Sequence, residues 1–154
     1  MFKKEEYHGT PQTGDAAVTS SQDEETQSSG GSEADTTSKD MNDCIFCKII
    51  SGQIPSNKIL ETEDVFAFRD IAPQAPQHVL ILPKKHVGRL ADLRESDGEL
   101  AGKLLLSAAK LAHDLGMEQD GFRVVINNGE KAGQSVFHLH VHLLSGREFG
   151  WPPG

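Results

Sequence analysis

Aromatic residues make up only 6% of the chain, and nowhere is there an apolar run long enough to span a membrane. The N-terminus lacks the apolar stretch of a secretory signal, and residues 1–41 hold no arginine, which disfavours an organellar presequence. These absences lead to the expectation of a soluble intracellular protein, cytoplasmic with the nucleus also open. Basic residues are scarce as well, 15 Lys and Arg against 23 Asp and Glu. Without a basic stripe, neither nucleic acid nor a membrane surface is an expected partner, although a few donors suffice for one small phosphate ester. Cysteine is limited to Cys44 and Cys47. In a reducing compartment that spacing reads as a metal half-site or a redox pair before it reads as a staple.

The apolar residues that are present are unevenly spread. Residues 1–41 contain almost no Leu, Ile or Val and are crowded with Ser, Thr, Gly, Asp and Glu. Such a segment cannot bury enough apolar area to offset the entropy of ordering it, so a disordered acidic, Ser-rich tail is expected there. It holds nine acids (Glu5, Glu6, Asp15, Asp23, Glu24, Glu25, Glu33, Asp35, Asp40) against Lys3, Lys4 and Lys39, and so six of the chain's eight net negative charges. The remaining residues, 42–154, are near neutral and long enough for one domain.

Within that domain the spacing predicts a short helix over Cys44–Ser51, capped by Asn42 or Asp43 and ended by Gly52. Lys58–Thr62 and Val65–Arg69 read as a hairpin turning at Glu63-Asp64. Pro73 and Pro76 make the next segment an ordered loop. His78–Leu82 is almost wholly apolar, the pattern of a strand buried on both faces. Ser96-Asp97-Gly98-Glu99 has the form of a capping box, and Leu100, Leu104, Ala108, Leu111 and Leu115 then recur at helical spacing until Gly116. Phe122–Ile126 is a fourth strand, and a Gly-bearing loop leads to a fifth over Phe137–Leu144. Strands grouped apart from helices predict an α+β fold with an antiparallel sheet.

The fifth strand carries the chemistry. Alternation along a strand puts His138, His140 and His142 on one face, about 6.6 Å apart, and Leu139, Val141 and Leu143 on the other. A catalytic zinc held by all three is disfavoured, because the outer Cα atoms would lie about 13 Å apart. A nucleophilic imidazole asks less: His140 attacks, while neighbours set its tautomer and hold the charge of the electrophile. Phosphorus fits that arrangement, since its transition state spreads charge over oxygens. Gly133, Gln134 and Ser135, just before the strand, are candidates to add backbone N–H groups and a hydroxyl. The bland alternative is a solvated, histidine-rich strand face.

Residues 137–144 resemble the His-φ-His-φ-His-φ-φ signature of the histidine-triad superfamily. The likeness extends over roughly residues 43–154 through Cys44-Ile-Phe-Cys-Lys-Ile-Ile, Phe68-Arg-Asp-Ile-Ala-Pro-Gln-Ala-Pro, Leu82-Pro-Lys-Lys-His86, Asn127-Asn-Gly-Glu-Lys-Ala-Gly-Gln-Ser-Val-Phe-His and Gly150-Trp-Pro-Pro-Gly154. These segments are similar to the Hint branch of nucleotide-binding phosphoramidases. The resemblance implies a five-stranded antiparallel sheet with one long and one short helix, and a homodimer joining two sheets into one. It implies hydrolysis of purine nucleoside 5'-phosphoramidates through a nucleotidyl-imidazole on His140. His142, His138, His78 and Ser135 would assist. Asp70 would take the ribose hydroxyls, and Phe46, Ile49, Phe68 and Ile71 would wall the base. Asn127, Gly133, Gln134 and Ser135 would line the phosphate end, and Trp151 would reach the partner subunit's site.

A subset of the family also binds a structural zinc, which by position would sit on Cys44, Cys47, His86 and His138, with no cofactor needed for catalysis. Two half-buried thiols on a short helix are the metal-free alternative. Two further functions stay open on these residues: dinucleoside-polyphosphate hydrolysis, which the Trp-Pro-Pro-Gly ending argues against, and a nucleotide-binding interaction protein with little turnover. His8 and His113 have no evident partner.

Overall fold

The computed structural model describes residues 41–154. The expected tail and His8 lie outside the described residues. The fold is a single five-stranded sheet in the order β1-β2-β3-β5-β4, every neighbouring pair antiparallel. Its strands are β1 (Lys58–Glu61), β2 (Val65–Arg69), β3 (Gln77–Pro83), β4 (Phe122–Val125) and β5 (Val141–Ser145). A short helix, α1 (Ile45–Ile50), and a long one, α2 (Gly98–Asp114), complete it. The expected α+β architecture is what forms.

Alternation along the central strands divides their side chains between the two helices. Val65, Ala67, Val79, Ile81, Val141 and Leu143 meet Leu104, Ala108, Leu111 and Ala112 of α2. Phe66, Phe68, Leu80 and Leu82 meet Phe46 and Ile49 of α1. Each fully buried Val, Ile or Leu here contributes about 1.5–3 kcal/mol relative to exposure. Because both faces are covered, β2 and β3 are apolar between their end residues Arg69 and Gln77 except at His78, which is buried. That histidine is the first sign that one end of the α1 face serves something other than packing.

Three local expectations need correction. The N-cap of α1 is Cys44, not Asn42 or Asp43, and no side chain caps it. The sequence Ser96-Asp97-Gly98-Glu99 does not close a capping box; a 3-10 turn over Glu95–Asp97 precedes α2. There the Asp97 carboxylate reaches back to accept from the Arg94 amide at 3.0 Å and from Lys85 Nζ at 2.8 Å. The ladder of β5 also begins at Val141, four residues later than Phe137. Across from this stretch β3 ends at Pro83, which has no N–H to offer. The Leu139 amide instead donates to Val87 O at 2.6 Å. His138 and His140 therefore lie on the approach to the strand, and only His142 lies within it.

Between β2 and β3 the proline loop is pinned against the far end of β5. At Gly146, with φ +93°, a Cβ would lie 2.9 Å from Pro76 Cβ, so both the backbone conformation and the contact require glycine. This contact and the bond from Arg147 Nε to Gln74 O, 2.9 Å, hold the loop beside the histidines.

Candidate active site

His78 stands on β3 and His142 on β5. Their backbones lie side by side, His78 opposite Leu144 and Leu80 opposite His142, and both rings emerge on the α1 face. Their nearest nitrogens, His78 Nε2 and His142 Nδ1, are 2.9 Å apart. The Gln74 amide donates to His78 Nδ1 at 3.0 Å. An acceptor at Nδ1 places the His78 proton on Nε2, from which it is donated to His142 Nδ1. His142 must then carry its own proton on Nε2, the one nitrogen not yet engaged. One backbone amide thus sets two tautomers in series.

His140 has the opposite polarity. Its Nδ1–H donates to the His138 carbonyl at 2.7 Å, leaving the Nε2 lone pair free. Phe46 packs edge-on against the ring, centroids 5.1 Å apart, and His142 lies 4.9 Å away on another side. Burial holds both rings neutral: it lowers the pKa of His140, and with the charges of His140 and His78 it brings His142 down to about 4. Burial also lowers His78, against the pull of Asp70. The site therefore presents, side by side, an imidazole lone pair and an imidazole N–H. That combination suits nucleophilic displacement with the charge or proton handled next door.

Asp70 joins the same group. Its Oδ2 is 3.5 Å from His78 Nε2, and its Oδ1 accepts the Ala72 amide at 2.9 Å to start the proline loop. A cavity of about 430 Å³ opens beside the rings, lined by His78, His142, Asn127, Val125 and Leu144, with Pro153 and Gly154 of the C-terminal segment at its edge. Ser135 is elsewhere. It lines a separate hollow of about 530 Å³ with Asp43, Cys44 and His86.

The Gly133 and Gln134 amides donate to Glu130 O at 2.9 Å and Gly129 O at 3.1 Å. Their N–H groups are thus spent within the loop, which corrects the expectation that they are free for a phosphate. The Gln134 side chain knits the same loop together, accepting from the Gly129 amide and donating to Gly88 O and Val136 O. Phe46, Ile49 and Phe68 are buried together on the α1 side of His140, whereas Ile71 and Trp151 are 94% and 86% exposed.

His138 turns away from this centre. Its Nε2–H donates to Pro83 O at 2.8 Å, so the lone pair on Nδ1 faces Cys44 Sγ and Cys47 Sγ, each at 3.5 Å. His86 Nδ1 is 3.3 Å from Cys47 Sγ. All four donor atoms lie within 4.8 Å of one another. A tetrahedral zinc with bonds of roughly 2.0–2.3 Å spaces its ligands about 3.5 Å apart, so the donor set fits that ion in both spacing and chemistry. The Pro83 carbonyl orients His138 as metal-bound imidazoles are usually oriented. Burial brings His138 down to about 4, which keeps it neutral. Burial and the neighbouring Cys44 push the Cys47 thiol up to about 12, a cost that a cation would relieve.

Sequence reasoning missed Gln74, whose amide sets the tautomers, and the carbonyls of Pro83 and His138; main-chain partners leave no mark on residue type. It also passed over Arg123, although a charged residue alternating with Val in an otherwise apolar strand is a legible signal. His113, far from either cluster, pairs with Glu118 at 2.9 Å.

An α+β sheet that sets alternating imidazoles over a small cavity, one offering a lone pair and the next an N–H, defines a histidine-triad protein. Comparison with known proteins then gives the family: the model of the HIT domain matches residues 51–149, and the chain belongs to it. It is 52% identical over 112 residues to an uncharacterized HIT-like protein from Synechocystis, covering 73% of this chain and 97% of that one. A 14 kDa zinc-binding protein from Zea mays is 54% identical over 112 residues, covering 71% and 87%. Among solved structures, a HIT family hydrolase from Legionella pneumophila superposes with TM-score 0.71 at 47% identity, covering 73% of this chain and all of that one. A histidine triad nucleotide-binding protein from Candida albicans gives 0.62 at 39% identity, covering 71% and 82%.

Proposed function

We propose that this chain is a Hint-branch hydrolase that cleaves the P–N bond of purine nucleoside 5'-phosphoramidates through a covalent intermediate on His140. The observation that carries the reading is the bond from His140 Nδ1 to the His138 carbonyl, which leaves Nε2 as a nucleophile beside a proton-bearing His142. In the first step Nε2 bonds to phosphorus and the P–N bond breaks. The departing nitrogen takes a proton that reaches it from solvent by way of the Nε2–H of His142, so His142 is neutral before and after, and the positive charge stays on the phosphorylated His140 ring. In the second step water attacks the same phosphorus, the P–Nε2 bond breaks to give back neutral His140, and the proton lost by the water returns to solvent past His142. The products are a nucleoside monophosphate and an amine. Similarity to a HIT family hydrolase and to a histidine triad nucleotide-binding protein supports the class.

The remaining roles follow the layout. Phe46, Ile49 and Phe68 back the base, with Ile71 at its edge, and Asp70 accepts from the ribose. Asn127 lines the phosphate end, and Ser135, which lines the separate hollow, offers its hydroxyl from the loop before β5. Cys44, Cys47, His86 and His138 hold a structural zinc, which when bound ties α1 to the approach of β5. The unpaired edge of β4, with Phe122 and Val124 exposed, joins a second copy into one larger sheet, bringing Trp151 to the partner's site. Turnover of a fluorogenic tryptamine-linked adenosine phosphoramidate, with and without chelator, tests the reading. Activity insensitive to chelator, with a nucleotide adduct seen by intact mass, is expected. No turnover by the native chain would leave a binding protein instead.

A further inference from the structure

Beyond His142 the 430 Å³ cavity runs over β4 toward two guanidinium groups that the reaction above does not use. Register places Val125 opposite His142 and Arg123 opposite Leu144, so Arg123 shares the histidine face. Arg147 follows β5 by two residues. Both arginines stack on Phe149, their guanidinium carbons 4.9 and 4.3 Å from the ring centroid. Their hydrogen bonds go to neutral carbonyls: Arg123 Nη2 to Gly150 O at 2.7 Å, Arg147 Nε to Gln74 O and Nη1 to Glu148 O, each at 2.9 Å. Among the described residues, no carboxylate lies within ion-pair distance of either arginine. Asp120 and Glu148 line only the adjoining hollow.

Two oriented cations against an aromatic ring, in a cavity also lined by His78 and His142, make a place for an anion. The direction of the substrate decides which part of it lies there. Phe46 packs against His140 from the α1 side, 5.1 Å between centroids, and the buried Phe46–Phe68 cluster lies behind it. With the base on that side, the space left for the leaving group is the cavity beyond His142, over β4. We propose that Arg123 and Arg147 bind a carboxylate on the leaving amine, so that the favoured substrates are phosphoramidates of amino acids with the carboxyl group free. Val125, Leu144 and Phe149 give such an amine an apolar side wall. The carboxylate is a spectator: only the P–N bond breaks and only its nitrogen gains a proton.

This inference rests on the phosphoramidase reading, and one pair of probes separates the two. Adenosine 5'-phosphoramidates of tryptophan and of tryptophan methyl ester are compared by kcat/KM in the native chain, R123Q, R147Q and R123K. The native chain is expected to favour the free acid by about tenfold or more. Both glutamine variants should bring the acid-to-ester ratio toward one, and R123K should retain part of it. Because the readout is a ratio, partial loss of folded protein cancels. Equal turnover of acid and ester by the native chain, or a ratio unchanged in the variants, overturns the subsite and leaves the phosphoramidase reading standing. Failure to cleave either probe overturns both.

Discussion

His78 Nε2 and His142 Nδ1 lie 2.9 Å apart, and the proton between them belongs to His78, because the Gln74 amide already occupies that ring's other nitrogen. A main-chain group in a proline-stiffened loop therefore decides which nitrogen of His142 carries the proton that faces the cavity.

Removing His78 should release that constraint without removing any group that touches phosphorus. In His78→Ala the His142 ring is free to place its proton on Nδ1, and the N–H offered to the leaving nitrogen is lost part of the time. A fall in kcat of about 10- to 100-fold, with KM little changed, is expected from steady-state kinetics. An equal loss in KM would mean that His78 binds substrate directly.

His140 and His142 should separate in a different assay. His140→Ala removes the ring whose Nε2 lone pair is free, so no nucleotide adduct should be seen by intact mass at any time. His142→Ala keeps the nucleophile and loses its neighbour's proton, so the adduct should still form, more slowly, by about 10²-fold or more. An adduct in His140→Ala would place the nucleophile elsewhere.

The sheet was legible in the sequence because its signals are local. The apolar run of Val65–Phe68, the nearly all-apolar run through Leu82 and the helical stripe from Leu100 each report their own burial. The family resemblance named the histidines for the same reason, since they are residue types at fixed spacing. What the residues could not show was the geometry behind the division of labour that the resemblance implied. His138, His140 and His142 look equivalent at i, i+2 and i+4, yet the ladder starts only at Val141, so His138 swings to the cysteines while His142 stays in register. That outcome turns on Pro83, whose missing N–H ends the pairing and whose carbonyl then takes the His138 proton. Likewise Gly133 and Gln134 sit where phosphate-binding amides were expected, but a 3-10 turn over Glu130–Ala132 consumes both N–H groups.

Acid should destabilise the fold well before its carboxylates titrate. His142 is held at about 4 in the folded chain, below the roughly 6.5 of a free imidazole, and His78 shifts in the same direction. Between those values the unfolded chain binds more protons than the folded one, so stability falls as pH falls from about 6.5 toward about 4. The upper bound from His142 alone is about 3 kcal/mol, reduced by its partial exposure. Melting temperature measured across that window should drop, and His142→Gln should flatten the drop. A native melting curve independent of pH there would contradict the burial of these rings as neutral groups.

Zinc removal should cost stability and spare the chemistry. The four residues proposed to hold the ion would tie Cys44 and Cys47 of the α1 segment to His86, in the loop after β3, and to His138. The lone pair and N–H proposed for the reaction both come from rings outside that set. An ion present at 100 times its dissociation constant stabilises the folded chain by about 2.7 kcal/mol, which for a domain of this size is several degrees in melting temperature. Chelator should therefore lower the melting temperature of the zinc-loaded chain by that amount and leave kcat within about threefold at a temperature where the apo chain stays folded. Cys47→Ala should melt at the lower temperature with or without chelator. If chelator instead abolished turnover in a chain still folded by circular dichroism, the ion would belong to the reaction and the separate duties of His138 and His140 would have to be given up.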